Sequence, residues 1–271
     1  MNTPDFDYLK KMLKERSAIV LEAGKEYLVE SRLIPLAKSE GFPTLDAFIA
    51  KLRETKLSLL HDKVVDAMTT NETFFFRDLH PFEALRKQIL PELIEKRANE
   101  RCLNIWCAAA SSGQEPYTIL MTLREHFPSL NGWKIKLLGS DISPTMLKRC
   151  EEGIYTQADV NRGLPAPYLI KYFEKQGANW QIKAELRKWL ELKNINLMNP
   201  WPLMPMMDII FMRNVLIYFD VETKKSILGK ARGVLKKDGY FFLGGAETTL
   251  NLDENFERIT IDKATCYRQK I

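Results

Sequence analysis

CLNIWCAAASSGQEPYTILMTLREHF, residues 102–127, decides the fold class. Cys102–Ala108 is a nearly unbroken apolar run of strand length, the pattern of a strand covered on both faces. Ala110-Ser111-Ser112-Gly113 is a turn of small residues. From Glu115 to about Phe127 the chain reads as a helix, with Pro116 in the first turn, where a missing N–H costs nothing. Downstream, Lys134–Gly139 is a second strand that ends at Ser140-Asp141, and Ser143-Pro144 opens another helix. Asp208–Met212 (DIIFM) is a strand, Val221–Leu235 a helix and Gly239–Gly245 a strand. Phe256–Ile261 and Ala264–Arg268 form a closing strand pair. Strands alternating with helices imply a parallel, doubly wound α/β sheet of the Rossmann type. Gly153 to about Leu192 (GLPAP, then a Tyr/Trp/Lys mixture) breaks that rhythm and reads as an inserted subdomain.

Upstream, the texture is helical only. Phe6, Leu9 and Leu13 recur at helical spacing, as do Leu28, Leu33 and Leu36, and Ala47, Phe48 and Leu52. Gly24 and Gly41-Phe42-Pro43-Thr44 punctuate these runs, with Thr44 placed as an N-cap. The expected organisation is a small all-α domain over 1–75, a joint over 76–95 and an α/β domain over 96–271, with the insert at about 153–192.

The 271 residues are 45% hydrophobic and 28% charged, which excludes a disordered chain or a coiled-coil rod. No apolar run is long enough to span a bilayer, and MNTPDFDYLKKMLKER lacks the apolar core of a signal peptide. Cys102, Cys107, Cys150 and Cys266 show no CxxC pairing, and the three histidines are scattered. A reduced, cytoplasmic protein without structural zinc is expected. The net charge is +5, and its excess lies beyond residue 75, partly in Lys224, Lys225, Lys230, Arg232, Lys236 and Lys237. Without a basic run or RGG tract this cluster reads as a solvated helix face rather than a nucleic-acid surface.

An open α/β sheet binds ligands at the carboxyl ends of its strands. The small residues after Cys107 admit a ligand close to the backbone, yet the turn is not GxGxxG, so a dinucleotide is poorly supported. Glu115 at the helix start repels phosphate and suits a cationic ligand such as S-adenosylmethionine; it is equally suited to the helix dipole. Asp141, at the end of the second strand, is placed to accept ribose hydroxyls, or to cap the next helix. Asn71, Thr73 and Arg77 crowd polar groups against Phe74-Phe75-Phe76, which reads both as a packed joint and as the wall of a small-molecule site. Arg213 and Asn214 fall at the carboxyl end of DIIFM, with Tyr218 four residues on.

TTNETFFFRD, WCAAASSGQEPYTI, GSDIS, NINLMNPWP, DIIFMRNVLIYF and GYFFLGGAE together resemble the chemotaxis receptor glutamate methyltransferases of the CheR type, over essentially the whole chain. The resemblance implies a helical N-terminal domain, a Rossmann-like methyltransferase domain and a small inserted β-subdomain. It implies transfer of methyl from S-adenosylmethionine to receptor glutamates, giving γ-carboxyl methyl esters and S-adenosylhomocysteine. Asn71, Thr73, Arg77, Glu115, Asp141, Asn196, Leu197, Arg213 and Asn214 fall on the family's cofactor-contacting positions. Arg77 and Tyr218 match the pair nearest the transferred methyl. Ser112 and Gln114 stand where relatives often show Thr and Glu, a departure that removes no required charge.

A glutamate carboxylate, which ordinarily titrates near about pH 4.3, needs alignment rather than a base. That agrees with His61, His80 and His126 lying outside the motif segments. Two rivals stand beside this reading: an amino-directed nucleic-acid methyltransferase, and a non-catalytic cofactor-binding adaptor. The first expects Asn/Asp-Pro-Pro-aromatic where this chain has Arg213-Asn214-Val215-Leu216. Implied partners are the cytoplasmic methylation helices of transmembrane chemoreceptors, met by Arg32, Lys38, Lys51, Arg53 and Lys56. In some members a receptor C-terminal pentapeptide docks on the insert. A monomer, with no nucleic-acid partner and no membrane insertion, is expected.

Overall fold

The computed structural model describes residues 1–55 and 58–270. Four helices lead: α1 (Thr3–Ser17), α2 (Glu26–Ser39), α3 (Leu45–Glu54) and α4 (Leu59–Met68). Asn2 accepts the N–H of Asp5 and Thr44 that of Ala47, each satisfying a donor that a helix start leaves open. Phe6, Leu9, Leu13, Leu33, Phe48 and Leu52 close one separate core, as their spacing requires. Residues 76–95, expected as a joint, are largely helical: α5 (His80–Ala84) runs through a wide π-turn at Leu85–Ile89 into α6 (Leu90–Lys96). Leu85, Ile89, Leu90 and Leu93 are fully buried in the core of the sheet domain; Pro81 and Pro91 had obscured their helical spacing.

The sheet domain follows as β1 (Cys102–Ala108), α7 (Gln114–His126), β2 (Lys134–Asp141) and α8 (Pro144–Glu152). The insert holds β3 (Ile154–Tyr155), α9 (Gln157–Asn161), α10 (Ala166–Tyr172), β4 (Phe173–Gln176), β5 (Asn179–Ile182) and α11 (Ala184–Arg187). Then come β6 (Leu190–Asn194), β7 (Met207–Met212), α12 (Val221–Val234), β8 (Leu235–Leu243), β9 (Phe256–Ile261) and β10 (Ala264–Gln269). The main sheet is ordered β6-β2-β1-β7-β8-β10-β9 and the insert forms its own antiparallel sheet, β3-β5-β4.

Two expectations are corrected. The main sheet is mixed rather than parallel throughout, because the closing hairpin of β9 and β10 joins β8 antiparallel. The insert ends before Leu192, because Leu190–Asn194 pairs parallel with β2 as an edge strand of the main sheet. Its alternating charges (LELKN) hide it from a search for buried strands.

Strands β2 and β6 lie on one side of β1, and β7 and β8 on the other, so the winding direction reverses between β1 and β7. Ligands bind at such a reversal, outside the carboxyl ends of the strands. The amino ends are tied separately. Fully buried Asp208 accepts from Arg97 Nε at 2.8 Å, Lys236 Nζ at 2.9 Å and the Asn104 N–H at 2.9 Å. No helix among the described residues is long and apolar enough to cross a membrane.

Candidate active site

Parallel register sets Ala108 beside Ser140 and Cys107 beside Phe211. The turn after β1, Asp141 at the end of β2 and Arg213-Asn214 after β7 therefore meet at one edge of the sheet. A cleft of about 1010 Å³, counted out to its open mouth, lies there. Asn71, Thr73, Arg77, Glu115, Asp141, Asn196, Leu197, Arg213, Asn214 and Tyr218 all line it.

Tight backbone makes the turn possible. Ala109, Ser111 and Gly113 have φ of 60°, 49° and 95°. At Gly113 a Cβ would press into Cys150 Sγ, the Tyr117 ring at 3.0 Å and the Tyr155 hydroxyl at 3.1 Å, so only glycine fits. The Ser111 hydroxyl donates to the carbonyl of Asn71 at 2.8 Å, which joins this turn to the TTNETFFFRD segment.

Asp141 is 5% exposed, and each of its oxygens accepts one backbone N–H. Oδ2 takes that of Ser111 at 2.8 Å and Oδ1 that of Ser143 at 2.9 Å. Ser143, not Asp141, caps α8, through the Met146 N–H. Burial raises the Asp141 pKa above the ordinary value of 3.8, opposed by these two N–H groups. A carboxylate oxygen has room for about two acceptor bonds, so each keeps capacity for a hydroxyl donor.

Glu115 is not a bare anion. Its Oε2 accepts from Arg213 Nη1 at 2.7 Å, with the Glu115 side chain 13% exposed and that of Arg213 2%. Burial raises its pKa, and the Arg213 charge opposes that rise. The other guanidinium nitrogen, Nη2, donates to the Arg77 carbonyl at 3.0 Å and to Asp78 at 2.6 Å. Arg213 Nε is buried without a hydrogen-bond partner among the described residues.

The three phenylalanines form the packed joint and do not themselves line the cleft, which takes Asn71, Thr73 and Arg77 from the same segment. Phe75 packs edge-on against Tyr155 and Phe173 of the insert, and Phe76 against Phe82 and Tyr168. Phe74 carries the guanidinium of Arg162 at 4.2 Å and that of Arg77 at 5.6 Å. Arg77 Nη1 donates to the Glu72 carbonyl at 2.8 Å, holding its side chain beside the cleft.

Asn196 bridges the two domains. Its Nδ2 donates to the Arg16 carbonyl at 2.6 Å, and its Oδ1 accepts the Met198 N–H at 3.0 Å. The helical domain also supplies cleft lining that local patterns did not reveal, Ser17, Ile19 and Met68, beside Thr69 and Thr70 of the TTNETFFFRD segment. Asp66 on α4 anchors that wall by accepting the hydroxyls of Ser143 and Thr145. Glu247, in the GYFFLGGAE segment, also went unassigned. It is 9% exposed and accepts the N–H groups of Gly244, Asn214 and Ile217.

The basic surfaces are partly neutralised by neighbouring acids and partly tied to backbone carbonyls. Arg32 donates to the carbonyls of Met68 and Thr69, Lys51 pairs with Glu54, and Arg53 pairs with Asp5. Lys38 is exposed, and Lys56 lies outside the described residues. In the later cluster Lys225, Arg232 and Lys236 have acidic partners, and Lys230 donates to the carbonyls of Leu197, Met198 and Asn199.

A Rossmann-type sheet with an acid following β1, another ending β2 and a cleft at the reversal point fits the class of S-adenosylmethionine-dependent methyltransferases. Residues 71–265 match the family described as "CheR methyltransferase, SAM binding domain", and residues 4–69 match "CheR methyltransferase, all-alpha domain". The chain belongs to the CheR methyltransferase family. It is 38% identical to chemotaxis protein methyltransferase 1 of Pseudomonas aeruginosa and 37% identical to chemotaxis protein methyltransferase Cher2 of Pseudomonas putida, each over 98% of both chains. It is also 38% identical to the chemotaxis protein methyltransferase of Borreliella burgdorferi, over 93% of this chain and 90% of that one. Among solved structures, the glycopeptide N-methyltransferase MtfA with S-adenosyl-L-methionine shares 12% identity over 68% of this chain and 66% of its own, with a TM-score of 0.35, a likeness too distant to bear on function.

The cofactor is therefore S-adenosylmethionine, and the donor set suits it. Among the described residues Arg213 Nε has no partner and could donate to a carboxylate, Glu115 would accept from an ammonium, and Asp141 would accept from hydroxyls.

Proposed function

We propose that this chain methylates glutamate side chains of chemoreceptors in the cytoplasm, yielding glutamate methyl esters and S-adenosylhomocysteine. The observation that carries this reading is a single cleft in which Arg77 and Tyr218 stand with Glu115 and Asp141, and no histidine is among the described lining residues. A glutamate acceptor is already anionic near neutral pH, so the site must orient it and strip its water rather than deprotonate it. The relatives' names, chemotaxis protein methyltransferase, support a receptor-array acceptor.

When bound, the cofactor supplies a methyl group on a sulfonium, so an attacking carboxylate oxygen forms the new O–C bond while the C–S pair returns to sulfur. Glu115 and Arg213 would hold the charged amino-acid end, and Asp141 the ribose hydroxyls. Asn71, Thr73, Asn196, Leu197 and Asn214 complete the wall. Arg77 draws in and orients the acceptor carboxylate, and Tyr218 hydrogen-bonds beside it. Arg77 cannot grip too tightly, since the carboxylate gives up charge as it attacks, and a pair stronger in the ground state than in the transition state lowers kcat. The same reading includes a receptor C-terminal pentapeptide docking on the insert, and a monomeric enzyme.

The test is methylation of a purified receptor signalling domain, with methanol release by mild base distinguishing esters from methylated amines. Wild type should give base-labile label, and Arg77→Ala should lower kcat/KM by about 100-fold. Base-stable label, or normal turnover in Arg77→Ala, would overturn the assignment.

A further inference from the structure

Outside the cleft lining, one buried carboxylate binds two active-site segments together. Glu247 follows β8, and its Oε2 accepts the Gly244 N–H at 2.6 Å and the Asn214 N–H at 2.8 Å, while Oε1 accepts the Ile217 N–H at 3.2 Å. Gly244 ends the β8 segment; Asn214 and Ile217 belong to the loop between β7 and α12. That loop carries Asn214 and Tyr218 into the cleft, whereas Glu247 does not line it. Asn214 has φ of 60°, a left-handed conformation that a non-glycine residue keeps only when its surroundings enforce it. The short turn Leu216–Tyr218 places the phenol directly after the Ile217 amide. Gly244 must be glycine here: a Cβ would meet Asn214 Nδ2 at 2.5 Å, Glu247 Oε2 at 2.8 Å and the Asn214 backbone nitrogen at 2.9 Å.

We infer that Glu247 is a positioning residue for methyl transfer, setting the backbone that presents Asn214 and Tyr218. A charged acceptor is needed because three N–H groups converge on two oxygens. In Glu247→Gln the amide keeps the shape but offers one oxygen, and its NH₂ opposes a backbone donor. The inference rests on the cleft reading above, and wild-type binding of S-adenosylmethionine by calorimetry checks that reading separately.

The experiment compares wild type, Glu247→Gln and Glu247→Asp. It measures amide hydrogen exchange at Asn214 and Ile217, and kcat and KM on the receptor signalling domain. Faster exchange at these two amides, with kcat down about tenfold to 100-fold and acceptor KM within about twofold, is expected for both variants. Exchange in β1 and β2 should be unchanged. If Glu247→Gln fails to fold, Glu247→Asp decides, since it keeps the charge but is one methylene too short to hold all three amides. Normal kcat in a folded variant, or slowed turnover without faster exchange at Asn214 and Ile217, overturns the role.

Discussion

Replacing Asp141 by Asn is the most informative single change, because both carboxylate oxygens hold backbone donors. The Ser111 N–H is on one oxygen at 2.8 Å and the Ser143 N–H on the other at 2.9 Å. An amide can satisfy only one; its NH₂ group must face the other. That buried N–H then loses its acceptor, which costs about 1–3 kcal/mol of stability. The variant also loses an anionic acceptor for ribose hydroxyls, worth about 1.5–3 kcal/mol as a charge-assisted bond. At about 1.4 kcal/mol per decade, S-adenosylmethionine affinity should fall about 10-fold to 150-fold. Calorimetric titration reads the affinity. Urea unfolding read by tryptophan fluorescence gives the stability of the sheet domain, because all five tryptophans lie at Trp106 or beyond. Affinity within twofold of wild type, with unchanged stability, would refute both the ribose role and the two-donor account.

Other outcomes follow from the same geometry. Gly113→Ala forces a side chain onto a φ of 95° and against Cys150, Tyr117 and Tyr155, and should destabilise the sheet domain by about 2–4 kcal/mol in urea unfolding. Asp208→Ala leaves the buried Asn104 N–H without its acceptor at the opposite end of the strands, while Arg97 keeps Asp238 and Lys236 keeps Glu100; it should cost about 1–3 kcal/mol while folded protein keeps wild-type cofactor affinity by calorimetry. Cofactor affinity should weaken on acidification at a pH above the ordinary aspartate value of 3.8, because Asp141 has a raised pKa and its charged form is the acceptor. The sign for folding is opposite: a raised folded-state pKa means the native protein takes up the proton first, so the cost of this buried charge shrinks as pH falls through the raised folded-state pKa toward the unfolded value of 3.8. Titrations across pH 4 to 7 should therefore show a flatter affinity profile for Asp141→Asn than for wild type.

Much of the fold was legible because its signals are local. β1, the small-residue turn and α7 lie in one stretch whose texture changes from an apolar run to helical spacing, and Thr44 and Ser143 announce helix starts. β6 was not legible: LELKN is half charged, and only its pairing with β2 makes it a strand of the sheet. The start of β8 was hidden likewise, since Lys236-Lys237-Asp238-Gly239 reads as a turn although Leu235 already pairs with Met207. In the cleft, residues carried by motif segments were identifiable. Ser17, Ile19 and Met68 were not, because they reach the cleft through docking of one domain on another, which no local pattern encodes. Glu247 could be noticed as an acid after two glycines, but its contact with amides some thirty residues earlier exists only in three dimensions.

The packing of Phe75 and Phe76 bears on how such enzymes can be recombined. Tyr155, Tyr168 and Phe173 of the insert press on these rings, and Arg162 lies over Phe74 while pairing with Glu72 at 2.6 Å. Immediately behind, a Cβ at Gly163 would run into the Phe75 carbonyl. The insert is thus no detachable cassette. A chimaera that exchanges it for a relative's must carry Glu72 and Phe74–Phe76 across with it, or the graft will shift Thr73 and Arg77 and lose methyl transfer.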